Sequence, residues 1–256
     1  MSGKRYRMNR IFNPVTGKTL VLPIDQGLAL GYIDKLKNPV SMVEVYRELD
    51  IDGFLMSFGM FRQTEHLLAY RMAPVRIMTL DLHFDNGEIF AESPVVTVEM
   101  ALKEGADAVK VLMPWRRDPQ HQIKVVALVS KMIQEANRWE LPIVVEPVVR
   151  DSQLTLQERV QEEANACRIA VELGADILKI EYPGDKAVMQ EWARNFNVPI
   201  VLLGGPLSGT TDSLLAMLRD AIDAGARGVI VGRNVWGRGL EESKRILQEV
   251  ADMVHR

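Results

Sequence analysis

The chain has 256 residues, 47% of them hydrophobic and 25% charged, which is enough to bury a full core and matches ordinary globular composition. A formal net charge of −3 leaves no electrostatic footprint for nucleic acid, and the basic start (Lys4, Arg5, Arg7, Arg10) is too short and mixed to change that. One cysteine, Cys167, excludes an internal disulfide, and with neither a signal-peptide pattern nor an apolar run of bilayer length the expectation is a soluble, cytoplasmic protein without a membrane partner.

Along the chain, apolar runs of strand length alternate with amphipathic runs of helix length, and no linker interrupts them. The spacing predicts a strand over 19–25 and a helix over 39–49, then strand 53–58 and helix 62–72, strand 76–82 and helix 94–103. Strand 108–113 and helix 120–139 follow, then strand 142–148 and helix 156–173. A strand within 175–184 precedes helix 186–195, strand 199–203 precedes helix 211–224, and strand 228–231 precedes helix 240–253. The residues before the first strand are expected to cover the bottom of a barrel. Three helices end on KEGADAVK, ELGADILK and DAGARGVI, each with glycine just past the helix as a left-handed cap. Repeated βα units with continuous apolar strands predict a single closed (β/α)8 barrel over residues 1–256. An open doubly wound sheet is the alternative, disfavoured because no G-x-G-x-x-G follows the first strand.

The sixth strand, in ADILKIEYPG, carries a lysine among Ile177, Leu178 and Ile180. An ammonium group in such a run must be desolvated, which lowers a lysine's pKa and favours the nucleophilic amine that forms imines with carbonyl substrates. Lys179 snorkelling to solvent or pairing with Glu181 is the plainer possibility.

Barrels carry their chemistry at the carboxyl ends of the strands, and polar residues there form a short list: Asp25, Lys110, Glu146 and Lys179. Alternate strands feed one interior layer, so Lys110 and Lys179 are expected to lie close, with Lys110 depressing the Lys179 ammonium and anchoring an anion. Glu146 and Asp25 are the candidate proton carriers. A purely structural network of two lysines and two carboxylates is the alternative. After strands seven and eight, LLGGPLSGT and VGRNVWGRG place Gly204, Gly205, Ser208, Gly232 and Arg233 where barrels often bind phosphate. Tight turns and an Arg233 ion pair are the alternative there. The histidines (His66, His83, His121, His255) are scattered, so no metal site and no external cofactor are expected. His83, Asp81 and Asp85 suit a loop-stabilising role more than substrate contact. Trp115 and Trp236 either line a pocket or fill the rim. Cys167 reads as a buried structural thiol.

ADAVKVLMPW, ADILKIEYPG, LLGGPLSG and VGRNVWGR together resemble the class I, Schiff-base aldolases: archaeal-type fructose-bisphosphate aldolase, tagatose-bisphosphate aldolase and, more distantly, deoxyribose-phosphate aldolase. The resemblance spans nearly the whole chain. It implies that Lys179 forms the imine, Glu146 is the acid/base, Asp25 transfers protons or meets a substrate hydroxyl, Lys110 is a charged partner, and Gly204, Gly205, Gly232 and Arg233 hold a phosphate. It also implies a homo-oligomer. The archaeal enzymes have Asp-His-Gly where this chain has Asp25-Gln26-Gly27, and a tyrosine where it has Glu146, which is closer to the tagatose-bisphosphate branch. The implied reaction is metal-independent cleavage of a phosphorylated ketose. A related synthase, transaldolase-like enzyme or thiolase is the first alternative, and a sugar-phosphate-binding barrel without turnover is the second.

Overall fold

The computed structural model describes residues 2–81, 94–205, 207 and 209–255. Its parallel strands are β1 (Thr19–Pro23), β2 (Gly53–Met56), β3 (Val75–Thr79), β4 (Ala108–Trp115), β5 (Ile143–Val149), β6 (Ile177–Ile180), β7 (Ile200–Leu203) and β8 (Gly228–Ile230). They pair in chain order, and β8 closes onto β1 through Thr19↔Gly228 and Val21↔Ile230. The (β/α)8 barrel expected from the alternation is therefore the fold.

Around the strands run α1 (Gly3–Ile11), α2 (Gly27–Leu30), α3 (Pro39–Tyr46), α4 (Phe58–Gln63), α5 (Glu65–Leu68) and α6 (Val98–Lys103). After β4 come α7 (Pro119–Arg138), α8 (Leu156–Leu173), α9 (Lys186–Asn195), α10 (Thr211–Asp223), α11 (Arg233–Trp236) and α12 (Leu240–His255). Helix α8 matches its expected bounds because both ends are signalled. A reciprocal capping box joins Thr155 and Glu158 at its start, and Gly174 at φ 103° closes its end. The helix expected over 62–72 is instead the pair α4 and α5. Thr64 donates its hydroxyl to the Met60 carbonyl at 2.6 Å and leaves helical geometry there, the local competition that makes threonine a poor helix interior. Helix α6 starts at Val98, later than expected, because the Thr97 side chain caps the Met100 N–H.

Alternation along each strand sorts side chains to two cores. One face meets the helices. The other fills the barrel with Val21, Leu55, Ile77, Val144, Ile177 and Val201, closed from below by Ile11 of α1, with Met8 and Phe12 packed against it. Helix α1 is pinned there by Lys4, 2.8 Å from Asp176, and by an Arg10–Asp107 ion pair, so the leading segment covers the barrel bottom as expected. Among the described residues no helix is long and apolar enough to cross a membrane.

Candidate active site

The same inward face that is apolar at the bottom turns polar two residues further along. Ile77 is followed at that period by Thr79 and Asp81, Ala108 by Lys110, Val144 by Glu146 and Ile177 by Lys179. A hydrophobic layer thus forms the floor on which the ionisable side chains stand. Lys110, Glu146 and Lys179 are 4%, 8% and 7% exposed, so nearly all of each charge is taken out of water.

The burial is answered by pairing. Lys179 Nζ donates to Glu146 Oε1 at 2.7 Å, and Lys110 Nζ lies 3.0 Å from Glu146 Oε2, so one carboxylate bridges two ammonium groups. Lys110 also reaches Asp81 Oδ1 at 3.4 Å, and that same oxygen accepts the Leu112 N–H at 2.8 Å. Asp25 Oδ2 accepts the Thr79 hydroxyl at 2.6 Å. All these side chains line one cavity of ≈ 120 Å³ at the carboxyl ends of the strands, together with Gln26, Arg150, Gly204, Gly205, Gly232 and Arg233. The four polar strand-end residues singled out in the sequence are brought together.

Burial pushes the Glu146 carboxyl up, but Lys110 and Lys179, both bonded to it, overcome that and hold it at about 2. Burial also opposes the Lys110 charge, and Asp81, Glu146 and Asp25 together raise its pKa well above the ordinary lysine value. Two expectations change here. Lys110 does not face Lys179 directly, because Glu146 stands between them. Nor is Lys110 an open anion anchor, since its ammonium group is engaged by Asp81 and Glu146. The buried network raised as the structural alternative does exist, with Asp81 rather than Asp25 as the second carboxylate on Lys110, and it opens onto a cavity. Glu181 takes no part: Arg159 lies 3.8 Å from its carboxylate.

The loops after β7 and β8 form the opposite wall. Gly205 adopts φ +66°, a conformation that favours glycine. At Gly232 a Cβ would fall 2.8 Å from the Pro23 carbonyl oxygen, so the chain can pass β1 this closely only without a side chain. Asn234 donates to the Gly204 carbonyl at 2.6 Å and ties the two loops together. Arg233 lines the cavity, and among the described residues no carboxylate is paired with it. Ser208, His83 and Asp85 lie outside the described residues.

Several functional neighbours escaped the sequence reading. Asp81, inside the expected strand 76–82, was given a loop-stabilising role, yet it is a buried partner of Lys110; its place two residues past inward-facing Thr79 was the available signal. Thr79 carries the same signal. Arg150, just past β5, also lines the cavity, and Gln26, noted in the sequence only as a departure from Asp-His-Gly, presents a buried Oε1 that has no hydrogen-bond partner among the described residues. The tryptophans fill the rim: Trp115 donates to Glu162 at 2.9 Å and Trp236 to the Pro23 carbonyl at 3.1 Å. Cys167 is fully buried on α8, and burial pushes its thiol well up, as suits an inert side chain. Among the described residues no group of His, Cys, Asp and Glu is arranged to hold a metal ion.

Residues 19–238 match the model of the DeoC/LacD family aldolases. The chain is 32% identical to an uncharacterised aldolase of Saccharolobus solfataricus, over 100% of this chain and 95% of that one. It is 29% identical to the class 1 fructose-bisphosphate aldolase of Thermoproteus tenax, over 93% of this chain and 90% of that one. It is 27% identical to a 2-amino-4,5-dihydroxy-6-oxo-7-(phosphonooxy)heptanoate synthase of Streptomyces griseus, over 97% and 89%. Its fold superposes at TM-score 0.82 and 26% identity, over 99% and 100% of the two chains, on an archaeal fructose-1,6-bisphosphate aldolase whose catalytic lysine is covalently bound to the carbinolamine intermediate of the substrate. A buried lysine in a barrel mouth, a family match across most of the chain and this neighbour agree: the protein is a class I, Schiff-base aldolase of the DeoC/LacD family.

Proposed function

We propose that the protein reversibly cleaves a phosphorylated ketose through an imine at Lys179, without a metal ion, and that dihydroxyacetone phosphate or a similar phosphorylated ketone is the imine-bound fragment. The single observation that carries this reading is the 2.7 Å contact of Lys179 with Glu146 inside a cavity whose far wall is Gly204, Gly205, Gly232 and Arg233.

Lys179 must give up a proton before it attacks, and Glu146 Oε1 is already bonded to it. Held at about 2 in the resting site, Glu146 begins as a carboxylate and serves first as acceptor. Attack by the neutral amine forms the carbon–nitrogen bond and moves the carbonyl π electrons onto oxygen; the proton the nitrogen must then shed passes to that oxygen, giving the neutral carbinolamine while Glu146 retains the proton taken from Lys179. The nitrogen is then uncharged, one of the two cations holding Glu146 down is gone, and the protonated glutamic acid becomes a competent donor to the departing water. The cationic imine next accepts the electron pair of the breaking carbon–carbon bond as the aldehyde's hydroxyl loses its proton; Asp25 is the second carboxylate available for that transfer. Protonation of the enamine and addition of water return the ketone and Lys179. Arg233 and the glycine main-chain N–H groups take the phosphate. Lys110, 3.0 Å from Glu146 Oε2, keeps the side chain oriented throughout and favours its return to the carboxylate after each proton it passes on.

A second reading puts the same imine to carbon–carbon bond formation, in a synthase or transaldolase-like reaction, and the Streptomyces griseus relative favours it. To test the common step, the protein is incubated with dihydroxyacetone phosphate and borohydride, with EDTA present, and adducts are mapped by peptide mass spectrometry. Reduction onto Lys179 is expected. An adduct on Lys110 would keep the chemistry and exchange the roles, and no adduct with a panel of phosphorylated ketoses would leave a binding barrel.

A further inference from the structure

Behind β6, on the helix side of the barrel, lies a carboxyl group that the mechanism does not use. Glu163 is in the interior of α8, only 3% exposed, where the helix packs on the barrel. Its Oε1 accepts the main-chain N–H of Glu181 at 3.0 Å. Glu181 immediately follows β6 and stands two residues beyond Lys179.

That bond falls where the sheet runs out. On one side β6 pairs with β5 through Val144↔Ile177 and Val145↔Leu178, so the pairing stops short of Lys179. On the other side the β7 pairing continues through Lys179↔Val201 and ends at Ile180↔Leu202. The next N–H, on Glu181, would be an unpaired donor at the strand end, and a side chain from α8 takes it. We propose that Glu163 is a positioning residue for Lys179: it bonds the main chain just past β6 from behind and fixes the strand end from which Lys179 reaches Glu146. This inference rests on the reading of Lys179 as the imine-forming residue.

A residue that only filled space here would be apolar, because burying a carboxyl costs stability. The groups facing it are Glu181 beyond β6 and, on α8 itself, Arg159 and Cys167. Burial and the neighbouring Glu181 carboxylate push the Glu163 carboxyl up to about 8, against the pull of the Glu181 N–H and Arg159. At neutral pH it therefore bonds the strand end chiefly as the neutral acid, through an oxygen that a glutamine amide would reproduce.

The test compares Glu163→Gln, which keeps that acceptor, with Glu163→Met, which keeps the volume and loses it. Three readouts are taken: hydrogen exchange at the Glu181 amide, the rate at which acetic anhydride acetylates Lys179, and the rate of borohydride trapping with dihydroxyacetone phosphate. E163Q is expected to match wild type within about twofold in all three, since the bond geometry is retained. E163M relieves the burial of an ionisable group but strands the Glu181 N–H, so its melting temperature serves to show that it is folded where the readouts are taken. It exchanges the Glu181 amide faster, acetylates Lys179 at a rate about fivefold or more away from wild type, and traps ketone about tenfold more slowly. An E163M protein with wild-type acetylation of Lys179 overturns the inference. If wild type itself traps no ketone, the aldolase step fails, and the acetylation comparison still decides the role of Glu163.

Discussion

The two ends of the barrel use the same strands and the same inward face for opposite purposes. At the bottom, Val21, Ile77, Val144 and Ile177 are sealed by Ile11 of α1, and every side chain there gains by leaving water. Two residues higher on the same face, Thr79, Glu146 and Lys179 lose water and are held by polar partners in the same layer: Thr79 by Asp25, and Glu146 by Lys179 and Lys110. Ile177 and Lys179 are thus neighbours on one short strand with opposite contributions to folding. The comparison teaches that the apolar end stabilises the barrel so that the polar end can hold charges in a dry, fixed arrangement.

The first way to break this comparison is Lys179→Met, which makes the upper layer resemble the lower. Trapping should vanish, and cleavage should fall by about 10⁴-fold or more, as when a covalent nucleophile is removed. Melting should hold or rise only if the lysine gives away stability. A cleavage rate near wild type would remove Lys179 from the chemistry.

Glu146→Gln comes next, with an expected loss of about 10²–10⁴-fold in kcat for a missing proton carrier. It also has a signature in folding. The folded-state carboxyl, at about 2, lies below its ordinary value of 4.5, so its contribution is fully present above that ordinary value and is lost as pH falls from about 5 towards 2. Chemical denaturation across that range should show wild type losing stability with acid more steeply than E146Q. Equal slopes would mean that the two lysines do not hold this carboxylate. Arg233→Met is milder and should act on binding: a lost charged hydrogen bond to phosphate raises KM by about 1.5–3 kcal/mol equivalents and leaves kcat nearly unchanged. A pure kcat effect would move Arg233 from the phosphate to the reacting carbons.

Much of this contrast was legible in the sequence, and the limits have physical causes. Periodic apolar runs and glycine caps encode the barrel, because burial of a strand on both faces and the left-handed end of a helix each demand particular residue types. Lys110, Glu146 and Lys179 stood out because charge inside such runs is costly. Asp81 did not, although the expected strand 76–82 contains it: it was grouped with the loop that follows, and its burial beside Lys110 appears only once the strands are assembled. The bridge made by Glu146 was hidden for another reason. Two lysines on alternate strands imply repulsion, and only the third dimension reveals the carboxylate between them. Glu163 was invisible because a glutamate in a helix reads as a solvated face until the packing of α8 on the barrel is known.

The smallest expected effect on the reaction comes from the other end. Ile11 is 1% exposed and closes the apolar floor, so Ile11→Ala removes methyl groups from a packed site and leaves a cavity there. The expected cost is about 2–5 kcal/mol of folding stability, which for a chain of this size lowers the melting temperature by about 2–4 °C for each kcal/mol. Lys4 and Arg10 still hold α1 through Asp176 and Asp107, so the helix stays in place and the loss is local. Trapping and cleavage by the folded fraction should then match wild type, because the layer of Val144 and Ile177 lies between the lost methyl groups and the Glu146–Lys179 pair. A fall in kcat at temperatures where I11A remains folded would show that the floor is not rigid and that packing at the bottom sets the geometry at the top. The division of labour between the two ends would then be a single coupled device, with Ile11 acting on Lys179 through the strand that carries it.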